Sequence, residues 1–351
     1  MNSNTDRIGA AVAAYDAWLA THCAVVPGAL AAKRRKMAKD PFAFLRATCF
    51  RFVAQYPVLD LPPTPAVPSC GDAHLANFGT WRDAEGRLAW GVNDLDDCAL
   101  LPWTVDLVRL VASALLAPAP PRSRVAAATV LAGYEARLAA PRGFVLDEEH
   151  VRLREFAAPM PAARAKFWAG IDALPGALPP AEWQAGLRIA LPEGAAACRF
   201  AAREAGLGGL GRPRFVAIAE WRGGRVVREA KARVPSSWIM AGFPGAAAVA
   251  PEHLASVPAR VPDPWLRFHP GYVVRRLAPD SDKLAPPEGD AAGLLALLEA
   301  MGGELANLHA SAGGAAAVQA ALAAMPADWL RDAAKRMAAL VTADWEAFRK
   351  G

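Results

Sequence analysis

Apolar residues recur at helical spacing at the start of the chain. Ile8, Val12, Tyr15 and Trp18 or Leu19 fall three or four positions apart, which predicts an amphipathic helix. Phe42, Leu45, Cys49 and Phe52 repeat the pattern behind Pro41, a residue suited to a first helical turn. The period then changes. Phe78-Gly79-Thr80-Trp81, a polar turn at Asp83-Ala84-Glu85-Gly86 and the run Arg87-Leu88-Ala89-Trp90-Gly91-Val92 read as a β-hairpin. Helical spacing returns at Trp103, Leu107, Leu110 and Ala114 and is stopped by Pro118 and Pro120. A helix over 122–139 and short, proline-punctuated helices over 147–195 follow.

The character changes again near residue 200. Phe200 to Ala205 read as helical, and a glycine-rich stretch runs from Gly206 to Gly211. Phe215 to Trp221, a Gly223-Gly224 turn and Arg225 to Lys231 then predict strand, tight turn, strand. Gly271 to Leu277 adds a strand, Ala278 to Gly289 reads as a flexible connection, and helices return over 291–311 and 327–349. The layout is a helical segment over 1–195, a β-rich segment over 196–285 and a second helical segment over 286–351.

Composition narrows the class. The chain has 351 residues, 54% hydrophobic and 21% charged, enough for one large or two smaller globular domains and unlike a disordered chain. Asp106 and Arg109 interrupt the best apolar run, so no membrane span is expected, and no secretory signal is visible. Five cysteines without C-x-x-C spacing predict neither a disulfide framework nor a zinc site, and a cytoplasmic location is the natural reading. The net charge of +5 is concentrated at Lys33-Arg34-Arg35-Lys36 and Lys39. That cluster reads as a solvated helix face, with attraction of an anionic substrate as the alternative; no nucleic-acid partner is expected.

The candidate chemistry lies in Gly71-Asp72-Ala73-His74-Leu75-Ala76-Asn77 and in Asn93-Asp94-Leu95-Asp96-Asp97. A hairpin joins the two segments, so Asn77 and Asp94 should meet in space. An amide oxygen with Asp94 and Asp96 makes a hard-oxygen set suited to Mg²⁺ with nucleotide phosphates. Asp72 is then placed to take a hydroxyl proton. Turn-forming Asp and Asn are the plain alternative, and His74 reads as a brace or a participant.

The spacing glycine, aspartate, any, histidine, two residues, asparagine from Gly71 to Asn77 resembles the catalytic loop of the aminoglycoside and choline kinase group. The stretch from Gly71 to Ser113, with Lys36 to Arg46, the glycine loop and Leu305-Ala306-Asn307-Leu308-His309-Ala310, resembles the bacterial family called domain of unknown function 2252. Cys70 stands where the kinases carry a histidine, and Ala47 where this family carries glycine.

Gly206, Gly208, Gly209 and Gly211 sit in a pattern shared by dinucleotide-binding turns and kinase phosphate-covering loops. A dinucleotide turn opens a helix, whereas Pro213 and a hairpin follow here, which favours the kinase-like layout over it and over a plain turn. Lys231 is the expected phosphate anchor on the second strand. Arg228 is its rival, on the opposite strand face, and Glu252 is a candidate partner carboxylate. The motif order runs Asp72, Asn77, Asp94, then glycine loop, then Lys231, whereas kinases run glycine loop, lysine, catalytic aspartate, metal aspartate. The expectation is therefore an α+β, protein-kinase-like bilobal fold with circularly permuted motifs. Its helical catalytic lobe would be split around a nucleotide-covering β lobe. The resemblance implies ATP and Mg²⁺ as cofactors and transfer of the γ-phosphate to a hydroxyl or amine of a small-molecule acceptor, with no membrane partner. The alternatives are a silent nucleotide-binding pseudokinase and an AMP transferase on the same fold.

Overall fold

The structure, a computed structural model, describes residues 3–157 and 161–351. It is a mixed α+β protein with several small sheets. Helices α1 (Ser3–His22), α2 (Pro27–Met37), α3 (Pro41–Ala47) and α4 (Cys49–Gln55) lead into strands β1 (Ala66–Ser69), β2 (Phe78–Arg82), β3 (Leu88–Val92) and β4 (Ala99–Pro102). Helices α5 (Thr104–Leu115) and α6 (Ser123–Ala139), strand β5 (Phe144–Val145) and helices α7 (Val151–Phe156), α8 (Pro161–Asp172) and α9 (Ala181–Ala190) follow. Next come β6 (Ala196–Ala202), β7 (Arg214–Trp221), β8 (Gly224–Ala232), α10 (Ser237–Met240), β9 (Ala247–Ala248), α11 (Pro251–Ala255), β10 (Arg267–His269) and β11 (Tyr272–Leu277). Helices α12 (Ala291–His309), α13 (Ala315–Ala323) and α14 (Trp329–Lys350) close the chain.

The hairpin forms in the expected register, with Phe78 opposite Val92 and Arg82 opposite Leu88. It is not the only β structure of the first segment: β1 and β4 pair, and β9 joins them from the later segment. The main body is helical. Gly133 on α6 and Gly302 on α12 bring these helices into backbone contact, because a Cβ at either would collide with the carbonyl of Glu299 or Val130. Trp103 stacks on Tyr134 and meets Trp329 edge-on, joining α5, α6 and α14. Among the described residues α12 is the one helix long and apolar enough to cross a membrane, and 67% of that stretch is buried inside the protein.

The larger sheet is antiparallel throughout, in the order β10-β11-β8-β7-β6. Strand alternation gives it two different faces. On one, Phe200, Ala217, Ala230, Ala232, Tyr272 and Val274 pack on Trp183 and Leu187 of α9. The other carries Val216, Ile218 and Val227 at one end, over Ile171 of α8. At its opposite end the same strands present Arg214, Glu229, Lys231 and Arg275.

Two expectations change. Phe200 to Ala202 are strand, not helix, because Phe200 and Ala201 each fill a core on opposite faces of the sheet, and that pairing overrides local propensity. Helix α9 covers one face of the sheet. The connection after β11 is strapped down: Thr80 donates through its hydroxyl to the Asp280 carbonyl (2.7 Å) and through its amide to the Asp282 carbonyl (2.9 Å).

Candidate active site

A cleft of about 300 Å³ lies between the sheet face just described and the helical body, lined by Asp72, Asp94, Asp96 and the glycine loop. Its loop wall is built around α5. The Asp106 carboxylate, fully buried, accepts from the amides of Cys70 and Gly71, both at 2.9 Å. His309 Nε2 lies 3.2 Å from the same carboxylate, and His309 Nδ1 is 2.9 Å from the Tyr134 hydroxyl. Gly71 has a φ of +73°, and any Cβ there would strike the Asp97 carbonyl, so the chain can fold back at this point only as glycine. Trp238 Nε1 donates to the Gly71 carbonyl at 2.9 Å.

So positioned, Asp72 meets Arg109. This guanidinium, wholly buried, donates through Nε to Asp72 Oδ1 at 2.7 Å and through Nη2 to the same oxygen, and also holds the Leu45 carbonyl. Asp72 Oδ2 is left facing His74 Nε2 at 3.7 Å. His74 Nδ1 accepts from the Ala76 amide, so the ring proton sits on Nε2, and burial keeps the imidazole neutral, its pKa well below the usual range. Burial raises the Asp72 carboxyl to about 7; Arg109 opposes the shift and Asp97 adds to it.

Asn77 and Asp94 meet as expected, but in a different role. Asn77 Nδ2 donates to the carbonyls of Asp72 (3.0 Å) and Asp94 (3.1 Å), and its Oδ1 accepts from the Asp94 amide at 2.9 Å. Its amide is committed to backbone, so here it clamps the two loops together and is no free metal ligand. Asp94 and Asp96 do converge. Lys231 Nζ lies 2.7 Å from Asp94 Oδ2 and 2.6 Å from Asp96 Oδ2, across 137 residues of sequence in the first case. The ammonium marks a point shared by two carboxylate oxygens, and such an all-oxygen set fits a hard divalent cation such as Mg²⁺. Asp96 is also held by Arg212 at 2.6 Å. Burial would raise Asp94, but Lys231 prevails and holds it well below the carboxylate range. Cys49 Sγ lies within 4.8 Å of carboxylate oxygens of Asp72 and Asp97, yet burial pushes its thiol far up, which leaves it a poor metal ligand.

The glycine loop joins antiparallel β6 and β7, and Lys231 follows on β8, so no helix opens behind it and the dinucleotide reading is excluded. Gly206, Gly208 and Gly209 line the cleft; Gly211 turns away against Leu30 and Leu19. The loop is tied down where the Gly208 carbonyl accepts from Lys33 Nζ (3.2 Å) and the Gly211 carbonyl from the Val26 amide (2.9 Å). Arg228 points to the other sheet face, over Trp265 and onto the Ala190 carbonyl. Glu252 is half-exposed and 3.9 Å from Arg233, so it is not the partner of Lys231.

Sequence reasoning missed the rest of the sheet wall. Glu229, fully buried, accepts from Arg214 (2.9 Å), Arg275 (2.8 Å) and Arg203. Burial opposes its ionisation, and the three guanidiniums overcome that and hold it far below the carboxylate range. It also missed Asp106 and Arg109, whose signal was in view: an acidic and a basic side chain inside the apolar run of α5.

The fold and cleft thus define a mixed α+β protein in which two acidic loops, an arginine-rich sheet face and a buried lysine converge. Residues 25–148 match the family described as an uncharacterized protein conserved in bacteria (DUF2252). The match takes in both acidic loops and α5, and ends before the glycine loop and Lys231. No curated protein matches the chain, and no solved structure does.

Proposed function

We propose that the protein is an ATP-dependent phosphotransferase, built on a permuted, protein-kinase-like arrangement of a helical lobe and a β lobe. The observation that carries this reading is the contact of Lys231 with Asp94 and Asp96, two carboxylates that line the cleft shared by Asp72 and the glycine loop. The order strand, glycine loop, strand, turn, strand with lysine supports it. ATP phosphates would lie under Gly206 to Gly209, with Lys231 as their cation. Mg²⁺, held by Asp94 and Asp96, would neutralise phosphate charge.

Asp72 Oδ2, the carboxylate oxygen that Arg109 leaves free, takes the proton of the acceptor hydroxyl. The acceptor's hydroxyl oxygen, so deprotonated, forms the new bond to the γ-phosphorus as the bond to the bridging oxygen breaks and ADP leaves. Arg109 and Asn77 fix where Asp72 stands. A pKa near 7 suits a base at neutral pH. Five unpaired cysteines fit a cytoplasmic setting.

ATP labelled at the α or γ position tests the reaction. Label reaching an acceptor from the γ position alone is expected; transfer from the α position would mean AMP transfer, and binding without transfer a silent nucleotide binder. Asp94→Ala should lose the Mg²⁺ dependence of ATP binding in calorimetry. Equal metal dependence in both proteins would remove Asp94 from the site.

A further inference from the structure

The end of the cleft beside Asp72 carries two cations that make no ion pair among the described residues. Arg46, in the last turn of α3, lines the cleft with Asp72, His74 and Lys283. Its guanidinium lies over the Phe42 ring at 5.3 Å, and its Nε is buried without a hydrogen-bond partner among the described residues. Lys283, on the strap after β11, makes no ion pair through its ammonium among the described residues; only its backbone amide is engaged, by the Asp282 carboxylate. Both line the cleft beside Asp72 and His74, so their like charges face the same space.

The carboxylates within range are committed elsewhere. Asp72 is taken by Arg109, Asp94 by Lys231, Asp40 caps α3 at the Ala43 amide, and Asp282 holds the backbone of Lys283. Two like charges whose neighbouring carboxylates are each bonded to another group would be stabilised by a bound anion. A guanidinium outside any ion pair is shaped for an oxyanion. A cationic amine at this place would meet two charges of its own sign.

We propose that the acceptor bears an oxyanion, a phosphate or carboxylate group, next to the hydroxyl it offers to Asp72, and that Arg46 and Lys283 seat it. The proposal rests on the phosphotransferase reading and names the acceptor class for it. Neither residue touches Lys231, Asp94 or Asp96, so nucleotide and acceptor binding separate by experiment. The full chain is saturated with Mg²⁺ and a non-hydrolysable ATP analogue, and glycerol 3-phosphate is titrated in calorimetrically. Glycerate serves as the carboxylate probe and choline as the cationic one.

One of the two anions should bind and choline should not. Arg46→Gln and Lys283→Gln should each weaken the anion about tenfold, the scale of one charge-assisted hydrogen bond, while analogue affinity stays within a few-fold. Tighter binding of choline, unchanged anion affinity in both variants, or loss of analogue affinity instead of anion affinity would overturn the proposal. If the analogue does not bind at all, the phosphotransferase reading fails. The anion titration without nucleotide then decides the oxyanion seat by itself: binding that depends on Arg46 and Lys283 upholds it, and no binding overturns it.

Discussion

On the loop wall of the cleft, two buried polar side chains are spent on backbone. Asp106 holds the amides of Cys70 and Gly71, and Asn77 holds Asp72 and Asp94. On the sheet wall, charge is spent on charge: Glu229 against three guanidiniums, Lys231 against two carboxylates. A carboxylate bonded to backbone amides fixes a position regardless of what else enters the cleft. A balanced ionic cluster can exchange one partner for another, including a phosphate, without losing its place on the strands. The loop wall is thus suited to aiming a reacting group, and the sheet wall to receiving a charged ligand.

The largest effects should come from cutting each wall at its centre. Asp106→Ala strands two amides and His309 in the core, and Glu229→Gln leaves three guanidiniums facing one another. Each should cost on the order of 3 kcal/mol. The comparison turns on salt. Arg203 and Arg275 are 26% and 24% exposed, so about 1 M chloride should return part of the Tm lost in Glu229→Gln by screening repulsion. It should return none of that lost in Asp106→Ala. Equal recovery in both would break the distinction.

Next in size, Asp72→Asn should lower kcat by on the order of 10²-fold or more while ATP affinity stays within a few-fold, because a base acts mainly in the transition state. A variant that loses ATP binding but turns over normally at saturation would move Asp72 to the nucleotide side.

The smallest effect is a displacement along the pH axis, and it has opposite signs on the two walls. Asp72, raised to about 7, binds a proton more readily folded than unfolded, so its contribution to stability falls as pH climbs from the ordinary carboxylate range through 7. Glu229, held low, contributes stability above that range and loses it as pH falls through and below it. The profile of kcat/KM should accordingly rise through about pH 7, where Asp72 ionises. Arg109→Met, which removes a charge that favours the carboxylate, should carry that limb upward. A limb that stays put would detach it from Asp72.

Much of the cleft was legible because its determinants are local. Apolar run, turn and apolar run fixed the hairpin, and with it the meeting of Asn77 and Asp94. Strand alternation separated Lys231 from Arg228. The mixed α+β character followed from changes of period along the chain. What escaped was non-local. Nothing near Glu229 indicates that Arg203, Arg214 and Arg275 come from three other strands or their ends. Asn77 was assigned a metal because its backbone partners depend on how two loops close. The strand at Phe200 was hidden by an alanine-rich sequence that either structure would accept until the sheet supplied two faces to fill.

The strap at Thr80 has a counterpart. One margin of the sheet is stitched to the hairpin through the carbonyls of Asp280 and Asp282, and the other to the first helices where Lys33 and Val26 hold the glycine loop. A flap pinned along both margins cannot swing like a door. On the phosphotransferase reading the cleft would then act as a slot of set width, sorting by size what slides in from its open ends before any charge is met.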